Sequence, residues 1–337
     1  MTGVCLRVAV LYNHDEGART DIADVAAAAV DVAGALRELG HETELAPIGG
    51  PAPVQALVAR IARMRDAEID LVFNLCEAVA GQSKHEPLVP HLLSLAGLPH
   101  TGSGPLSLGL ALRKDRARVL LGAAGVPIAS GVTLGAIPTR SPPLRYPLIA
   151  KLANEDASVG IDRGSVATDF TALKQQVKKL LAKYPGPVLV EEFIAGREIY
   201  VSIVGDTALP PHEIDFSAMP KECPPIVTFD AKWKPGSAED LGSRPTRAEN
   251  LHELAELLPA IAMRAFHALE LSDYARIDFR VNDAGHPYVI DVNPNCDLSE
   301  SAGMARAARY ASWSYPRLIG EICNAAWART SKSPEAT

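Results

Sequence analysis

The sequence predicts an α/β protein of more than one domain, whose N-terminal part is a parallel sheet built from βαβ units. A first apolar strand, Leu6–Tyr12, is followed by an alanine-rich helix, Asp21–Leu39, which Gly40 ends. A second strand, a second helix and a third strand follow: His41–Ile48, Val54–Asp66 and Asp70–Leu75. Strands that alternate with helices at this spacing indicate right-handed crossovers on one parallel sheet. The chain of 337 residues also suits two or three compact units.

The pattern changes after Pro127, where shorter segments favour a strand-rich, α+β arrangement. The predicted strands are Leu148–Lys151, Ser165–Ala167, Val188–Glu191 and Ile199–Val204. A helix is predicted at Asp169–Leu181, loops at Pro210–Arg244 and a long helix at Arg247–Leu269. We therefore expect three domains, at residues 1–100, 101–205 and 206–330, and a polar tail at 331–337.

Composition excludes several classes of protein. The net charge of -7 argues against a protein that binds the phosphate backbone of nucleic acids. The five cysteines include no C-x-x-C pair, which is typical of reduced thiols in the cytoplasm. No apolar stretch approaches the roughly 20 residues that a membrane helix needs. We expect a cytoplasmic protein with neither nucleic-acid nor membrane partners.

The N-terminal βαβ pattern is also compatible with a nicotinamide-dependent oxidoreductase. Such domains carry G-x-G-x-x-G directly after the first strand, where glycines allow the backbone to approach a pyrophosphate. Here Asn13–Gly17, N-H-D-E-G, follows that strand. The oxidoreductase alternative therefore rests on the alternation of strands and helices alone.

Two strands near the C-terminus, Tyr274–Arg280 and Tyr288–Asn293, alternate apolar and polar residues and are joined by turn-forming residues. A hairpin centred on Ala284 and Gly285 places Asp278 opposite Asp291, and Arg276 opposite Asn293. The other face then carries an apolar set: Ile277, Phe279, Ile290 and Val292.

Two opposed carboxylates repel each other and weaken a hairpin, so their pairing needs a cause. One explanation is a hard cation between Asp278 and Asp291, with Asn293 as a third oxygen ligand; Mg²⁺ keeps few protein ligands and completes its octahedron with water and phosphates. The other explanation is a surface cluster of salt bridges with Arg276 and Arg280. These residues alone favour neither.

The same stretch, residues 276–295, reads RIDFRVNDAGHPYVIDVNPN and resembles the signature of the ATP-grasp superfamily. Further segments in the same order resemble the D-alanine–D-alanine ligases of that superfamily: Pro99–Ser103, Leu112–Arg116, Pro147–Lys151, Val190–Glu198 and Phe229–Trp233. Each would be weak alone, but together they span most of the chain. The resemblance implies an ATP-grasp fold.

It also implies an ATP-dependent ligase that joins a carboxylate to an amine through an acyl phosphate. Its cofactors would be ATP and Mg²⁺, or Mn²⁺ in its place, its substrates small amino acids or amines, and its assembly a homodimer. The resemblance assigns catalysis to Arg276 and Lys232, and the metal to Asp278, Asp291 and Asn293. It assigns ATP binding to Lys114, Lys151, Ser158, Glu191, Glu192, Phe193, Ile194, Glu198 and Lys232.

Departures from the family pattern fall on the amino-acid pocket. Asp156 stands where a glycine is usual, Ala157 and Ala302 where serines are usual, and Trp233 where a tyrosine is usual. Lost hydroxyls leave a substrate group unpaired, at about 1–3 kcal/mol per contact. We therefore expect unchanged activation chemistry with a changed substrate.

The candidate substrate residues are Glu77, Trp233, Asn295, Asp297 and Ser299. Glu77 and Asp297 would face an amine, whereas Arg163, Arg306 or Arg309 would face a carboxylate, and Asp21 or Asp24 would replace the family's N-terminal glutamate. Cys296 lacks an evident histidine partner and is interpreted as a packing residue. The alternatives left open are an amino-acid ligase of specialised metabolism that does not use D-alanine, and a nucleotide-binding protein without turnover.

Overall fold

A computed structural model describes residues 4–14 and 25–330 of the chain. Its N-terminal sheet is parallel, in the order β2–β1–β3, with β1 at Arg7–Asn13, β2 at Glu42–Ile48 and β3 at Leu71–Asn74. The connecting and following helices are α1 (Val25–Glu38), α2 (Pro53–Asp66) and α3 (Leu88–Leu95). The predicted parallel βαβ unit is confirmed, although the predicted start of α1 at Asp21 lies outside the described residues.

Side chains of β1 alternate between two cores. Val8 and Val10 pack with α1, whereas Ala9 and Leu11 pack with α2 and α3. Successive residues of a strand point to opposite faces, so a strand covered by helices on both sides must be apolar throughout. The continuous apolar run of β1 therefore follows from its central position in the sheet.

The middle of the chain forms a small antiparallel sheet. After α4 (Pro105–Ala111) and α5 (Lys114–Ala123) come β4 (Gly131–Leu134), β5 (Leu148–Leu152), β6 (Val166–Ala167), α6 (Phe170–Lys183) and β7 (Val188–Glu192). The strand order is β4–β7–β5–β6. Asp169 caps α6, since its side chain accepts a hydrogen bond from the Ala172 amide, and the apolar face of α6 packs on the sheet.

The large sheet contains β8 (Arg197–Val204), β9 (Thr207–Ala208), β10 (His212–Asp215), β11 (Arg244–Arg247), β12 (Tyr274–Val281) and β13 (Pro287–Asn293). Its order is β11–β10–β8–β12–β13, with β9 beside β8. The intervening helices are α7 (Phe229–Trp233), α8 (Ala238–Leu241) and α9 (Leu254–Ala268). Because β8 already belongs to the large sheet, the change from one sheet to the other falls before Arg197. The domain limits, including the one at residue 205, stay predictions.

Two segments differ from the sequence prediction. The segment Pro210–Arg244, predicted as loops, contains β10, α7 and α8. β10 is too short for a visible apolar period and forms because β8 and β11 pair with it on both sides. The helix predicted from Arg247 begins at Leu254, since Arg247 still pairs with His212 in the sheet.

The chain closes with α10 (Gly303–Tyr310) and α11 (Tyr315–Thr330). Leu318, Ile319 and Ile322 of α11 are fully buried in the same core as Val32 and Leu36 of α1. The N-terminal sheet is thus held against the large sheet by the last helix. Within the described residues, no helix is both long and apolar enough to cross a membrane.

Candidate active site

A cleft, called the first cleft here, opens between the small sheet and the large sheet. It spans about 980 Å³, part of which is open to solvent. Every residue that the sequence assigned to ATP, the metal or catalysis lines it: Lys114, Lys151, Ser158, Glu191, Glu192, Phe193, Ile194, Glu198, Lys232, Arg276, Asp278, Asp291 and Asn293. Residues that are up to 179 positions apart in the sequence thus meet in one place, although their roles stay predictions.

The hairpin of β12 and β13 supplies the acidic side of the first cleft. Asp278 pairs with Asp291 and Arg276 with Asn293, which confirms the predicted register. A β-bulge then shifts the register, so that Val289 enters the core and Ile290 lines the first cleft. The prediction that Ile290 packs on the core face was therefore wrong, because a bulge adds a residue that a simple alternation does not contain.

Each of the two carboxylates of the hairpin lies next to a cationic side chain. Arg276 donates from Nε to Asp278 Oδ1 at 2.7 Å and from Nη2 to Oδ2 at 2.8 Å. Asp291 Oδ1 lies 3.2 Å from Lys114 Nζ, which also contacts Asp156. The predicted salt bridge between Asp278 and Arg276 is therefore present, but it is not on the surface, because Asp278 is only 6 % exposed. Arg280 pairs with Glu198 instead.

Burial and neighbouring charges act differently on the two acids. Burial raises the pKa of Asp278, and Arg276 offsets only part of that effect. Burial would also raise the pKa of Asp291, but Lys114 and Lys151 outweigh it and leave the pKa lowered. Asp291 is therefore held as a carboxylate.

Lys151 lies in the apolar strand β5, where a charged side chain needs a partner. It is 8 % exposed. Its Nζ lies 2.8 Å from Glu191 Oε2 and donates to the Ile290 carbonyl at 3.0 Å. Lys151 thus ties the small sheet to the bulge of the large sheet across the base of the first cleft.

Arg280 contacts residues 193–198 and Pro225 at the far end of the first cleft and holds them in place. It donates to Glu198 Oε2 at 3.0 Å and to the carbonyls of Ile194 and Pro225 at 2.9 and 2.7 Å. Its guanidinium lies 4.9 Å from the centre of the Phe193 ring. Glu192 pairs with the exposed Arg145 at 3.1 Å.

The loop that bears Asp156 approaches the short helix α7. Trp233 Nε1 donates to the Ala157 carbonyl at 3.1 Å, and Ser158 Oγ donates to the Val227 carbonyl at 3.0 Å. Two positions of the family pattern that differ here, 157 and 233, are therefore in direct contact. Burial, followed by Arg276, lowers the pKa of Lys232 in the same helix.

A second cleft continues from the first. Asp156, Ala157, Lys232, Arg276 and Asn293 line both. Of the predicted substrate residues, Glu77, Trp233, Asn295 and Asp297 line the second cleft, whereas Ser299 is not among its lining residues and donates its amide to Asp297 Oδ1 at 2.8 Å. Asp21 and Asp24 lie outside the described residues.

Cys296 also lines the second cleft, but it is 7 % exposed and belongs to the N-terminal core. Burial raises the pKa of its thiol to about 12. A thiol with that pKa is almost wholly protonated near neutral pH and is a poor nucleophile. The structure supports its interpretation as a packing residue.

The family model for the C-terminal part of D-alanine–D-alanine ligases ("D-ala D-ala ligase C-terminus") matches residues 138–324, more than half of the chain. The chain belongs to the D-alanine–D-alanine ligase family. The D-alanine–D-alanine ligase of Gluconobacter oxydans is 29 % identical over 327 residues, which cover 96 % of this chain and 100 % of that protein. The ligase of Methylocella silvestris is 30 % identical over 297 residues, 83 % of this chain and 93 % of that protein.

An uncharacterized protein of Sinorhizobium fredii, y4sG, is 32 % identical over 306 residues, 88 % of this chain and 87 % of that protein. The crystal structure of the Bacillus anthracis D-alanine–D-alanine ligase complexed with ATP superposes with a TM-score of 0.75 at 20 % identity, covering 97 % of this chain and 99 % of that one. The predictions of an ATP-grasp fold and of an ATP-dependent ligase similar to the D-alanine–D-alanine ligases are confirmed.

For this member of the D-alanine–D-alanine ligase family, sequence reasoning missed three residues of the two clefts. Tyr200 lines the first cleft, with the Arg276 guanidinium 4.8 Å from the centre of its ring. The alternation of β8, with Glu198 two residues earlier, could have indicated it. Asp156 was noted as a departure, but not as a partner of Lys114. Glu86 lines the second cleft and gave no local signal, since its partner lies 209 residues away.

Proposed function

We propose that this ligase transfers the γ-phosphoryl group of ATP to a small-molecule carboxylate and then joins the acyl group to an amine. The observation that carries the proposal is the convergence of three lysines, an arginine and two opposed carboxylates in the first cleft. Such a set balances phosphate charge on one side and can hold a hard cation on the other.

In the first step a carboxylate oxygen attacks the γ-phosphorus, the bond to the bridging oxygen breaks, and ADP leaves. In the second step the neutral amine attacks the acyl phosphate, phosphate leaves, and the amine gives up a proton. Lys114, Lys151 and Lys232 would offset charge on the phosphate oxygens. Arg276, at the border with the second cleft, would stabilise the oxyanion of the tetrahedral intermediate.

Asp278, Asp291 and Asn293 would hold Mg²⁺, or Mn²⁺ in its place. The Asn293 amide nitrogen donates to Asp278 Oδ2 at 3.1 Å, so its oxygen and the two carboxylates are the hard donors that would suit a metal with water and phosphate ligands. Within residues 4–14 and 25–330, no group of three or more His, Cys, Asp or Glu side chains is arranged for a metal. When bound, the ion would neutralise charge on the transferring phosphoryl group.

We do not assign to this protein the two D-alanine substrates that the names of its relatives indicate. Ala157, Trp233 and Ala302 line the second cleft where the family resemblance implies hydroxyl groups. We therefore propose amino-acid or amine substrates other than two D-alanines. The proposal includes a cytoplasmic location and no nucleic-acid or membrane partner. It also includes a homodimer, and sedimentation of the purified protein tests this oligomeric state.

Phosphate release from ATP and Mg²⁺, measured with a panel of D- and L-amino acids, tests the ligase reaction. We expect at least one amino acid to raise the rate above that with ATP alone. Asp291→Ala should reduce phosphate release by about 100-fold or more, because a principal charge of the metal site is lost. The melting temperature should change little.

Asp283→Asn is the matched control, since it removes a carboxylate from the exposed turn of the same hairpin. It should retain the wild-type rate. Near-normal turnover of Asp291→Ala would show that the metal site has been assigned wrongly. A panel without any stimulating amino acid would contradict the proposed substrates.

A further inference from the structure

Charge is distributed unevenly along the second cleft. Its cationic side chains among the described residues, Lys232 and Arg276, both lie at the border with the first cleft. Its other charged side chains are carboxylates: Glu77, Glu86, Asp156 and Asp297. The rest of the lining is neutral and largely apolar, including Leu75, Leu108 and Leu298. The end away from the reacting groups is therefore suited to a cation.

The arginines that the sequence offered for a substrate carboxylate do not line the second cleft. Arg163 lies 2.5 Å from Glu239, and Arg306 and Arg309 donate to the carbonyls of Ser301 and Glu300 at 3.1 and 2.8 Å. A second carboxylate, away from Lys232 and Arg276, would thus find no guanidinium among the described residues of this cleft.

Glu86 is held in position by a hydrogen bond from a neutral side chain. Its Oε1 accepts a hydrogen bond from Asn295 Nδ2 at 2.7 Å. That amide is itself held, because Nδ2 also donates to the Cys76 carbonyl at 3.0 Å and Oδ1 accepts from the Tyr274 hydroxyl at 2.6 Å. The residues come from three separate parts of the chain, so the Glu86 carboxyl is pre-positioned in the cleft wall.

Among the described residues, no cationic side chain stands opposite the Glu86 carboxyl in the wall of the second cleft. Within these residues the carboxyl forms no ion pair, and the neutral Asn295 amide is its hydrogen-bond donor. Burial raises its pKa, as do the nearby charges of Glu77 and Asp156, although the bond from Asn295 acts in the opposite direction. Glu86 is half-buried in the cleft wall. Without a cation beside it, the raised pKa favours the neutral acid, whereas an ammonium group bound next to it would favour the carboxylate. The open side of the Glu86 carboxyl faces the second cleft.

We infer that Glu86, held by Asn295, binds a non-reacting ammonium group of a substrate in the second cleft. The inference rests on the proposed ligase reaction and names a feature of its substrate. The attacking amine must be neutral, so the bound ammonium is a different group. It belongs either to the α-carbon of the amino acid that is phosphorylated or to a second amino group of the acceptor.

The test compares substrates that carry the ammonium group with analogues that lack it. Phosphate release is measured with L- or D-alanine and propionate as carboxylates, and with 1,2-diaminoethane and ethylamine as acceptors. Glu86→Gln keeps an oxygen for the Asn295 amide but removes the charge. We expect it to raise the KM of the ammonium-bearing substrate by about 10- to 100-fold, and to leave the KM of ATP unchanged.

The substrate whose KM rises identifies the source of the ammonium group. The preference for that substrate over its analogue should fall by the same factor, an effect that general loosening of the cleft would not produce. Glu86→Asp, which keeps the charge, should retain part of the preference. Glu42→Gln, an exposed glutamate on β2, is the control, and melting temperatures report folding of each variant.

The outcomes separate the inference from the proposed function. A wild-type enzyme that no carboxylate and amine stimulate contradicts both. An active wild type whose preference for the ammonium-bearing substrate survives in Glu86→Gln overturns the inference and leaves the ligase intact. Equal loss with alanine and propionate, together with equal loss with 1,2-diaminoethane and ethylamine, would show that Glu86 only supports the cleft wall, which also overturns it.

Discussion

Asp156 lies at the point where the two clefts meet. It contacts Lys114, which also lies 3.2 Å from Asp291 Oδ1. A family member with glycine at this position would leave Lys114 free of that charge. In this protein, a phosphate group that binds Lys114 must compete with the Asp156 carboxylate.

Replacing Asp156 should therefore strengthen nucleotide binding. For Asp156→Asn we expect the Kd of ATP, measured by titration calorimetry with Mg²⁺, to fall by about 10-fold, as a competing charge-assisted bond worth roughly 1.5–3 kcal/mol is weakened. Asp206→Asn, in an exposed turn, should bind as the wild type does. Weaker binding by Asp156→Asn would show that its carboxylate helps to hold the nucleotide.

His212 is a second residue whose environment sets its charge. It is 1 % exposed, and its ring stands edge-on to Tyr200 at 5.2 Å between centroids. Burial, followed by Arg276 and Arg306, lowers the pKa of His212 to about 3. The folded protein therefore keeps this imidazole neutral, whereas the unfolded chain protonates it below pH ~6.5.

Since the unfolded state binds the extra proton, stability falls as the pH drops below the unfolded pKa, until the folded pKa is reached. Between pH 7.5 and 5 this group should cost the wild type about 2 kcal/mol of unfolding free energy. Urea denaturation of His212→Gln should lack that component, while the exposed His286→Gln should retain it. Equal pH dependence in the wild type and His212→Gln would contradict a neutral buried histidine.

At the scale of the element, Gly196, the residue before β8, lies against the end of β12 at the far end of the first cleft. Its φ is +123°, and a Cβ atom there would lie 2.1 Å from the Val281 carbonyl oxygen. Glycine is therefore needed for both backbone conformation and space. The close approach lets the Gly196 carbonyl accept a hydrogen bond from Arg280 at 3.2 Å.

Gly196→Ala should lower the free energy of unfolding by about 3 kcal/mol or more, because the new methyl group meets backbone that cannot rotate away. Gly285→Ala separates the two causes, as Gly285 also has a positive φ, +78°, but nothing within 4 Å of its Cβ position. That control should lose about 1 kcal/mol. Similar losses of unfolding free energy in both variants, measured by urea denaturation, would mean that the contact between the new methyl group and Val281 does not cause the destabilisation.

At the scale of the whole molecule, Asp273 connects the loop after the N-terminal sheet to the last helix. Its Oδ2 accepts from the Gly102 amide at 2.9 Å and from Arg329 Nη2 at 2.9 Å. Arg329 also donates to the His100 carbonyl at 2.8 Å. The Asp273 side chain is 2 % exposed, and Arg329 is the cation that pairs with it.

Arg329→Ala should cost about 2–3 kcal/mol of unfolding free energy, since it leaves a buried carboxylate without its cation; the partial exposure of Arg329 reduces the effect below that of a fully buried pair. Arg317→Ala removes an exposed pair with Glu321 in the same helix, 3.9 Å apart, and should cost less than about 1 kcal/mol. Equally small losses of unfolding free energy in Arg329→Ala and Arg317→Ala would show that the last helix is held by its apolar face alone.

Much of this protein follows from local patterns in its sequence. The order of strands and helices in the N-terminal sheet follows from apolar periodicity, and the pairing of Asp278 with Asp291 follows from two alternating strands and one turn. The lining of the first cleft could be predicted because its residues lie in short segments with a recognisable order. These features depend on neighbours along the chain or on motifs, which a sequence contains directly.

Other features were decided by the tertiary structure. The bulge at Ile290, the strand β10 within predicted loops, and the contact between Asp156 and Lys114 depend on what packs beside them. The bond between Glu86 and Asn295 joins residues 209 positions apart, for which no local pattern exists. The sequence by itself therefore determined the activation chemistry that we expect, while the placement of Glu86 and Asp156 in the wall of the second cleft was decided by contacts that only the folded chain creates.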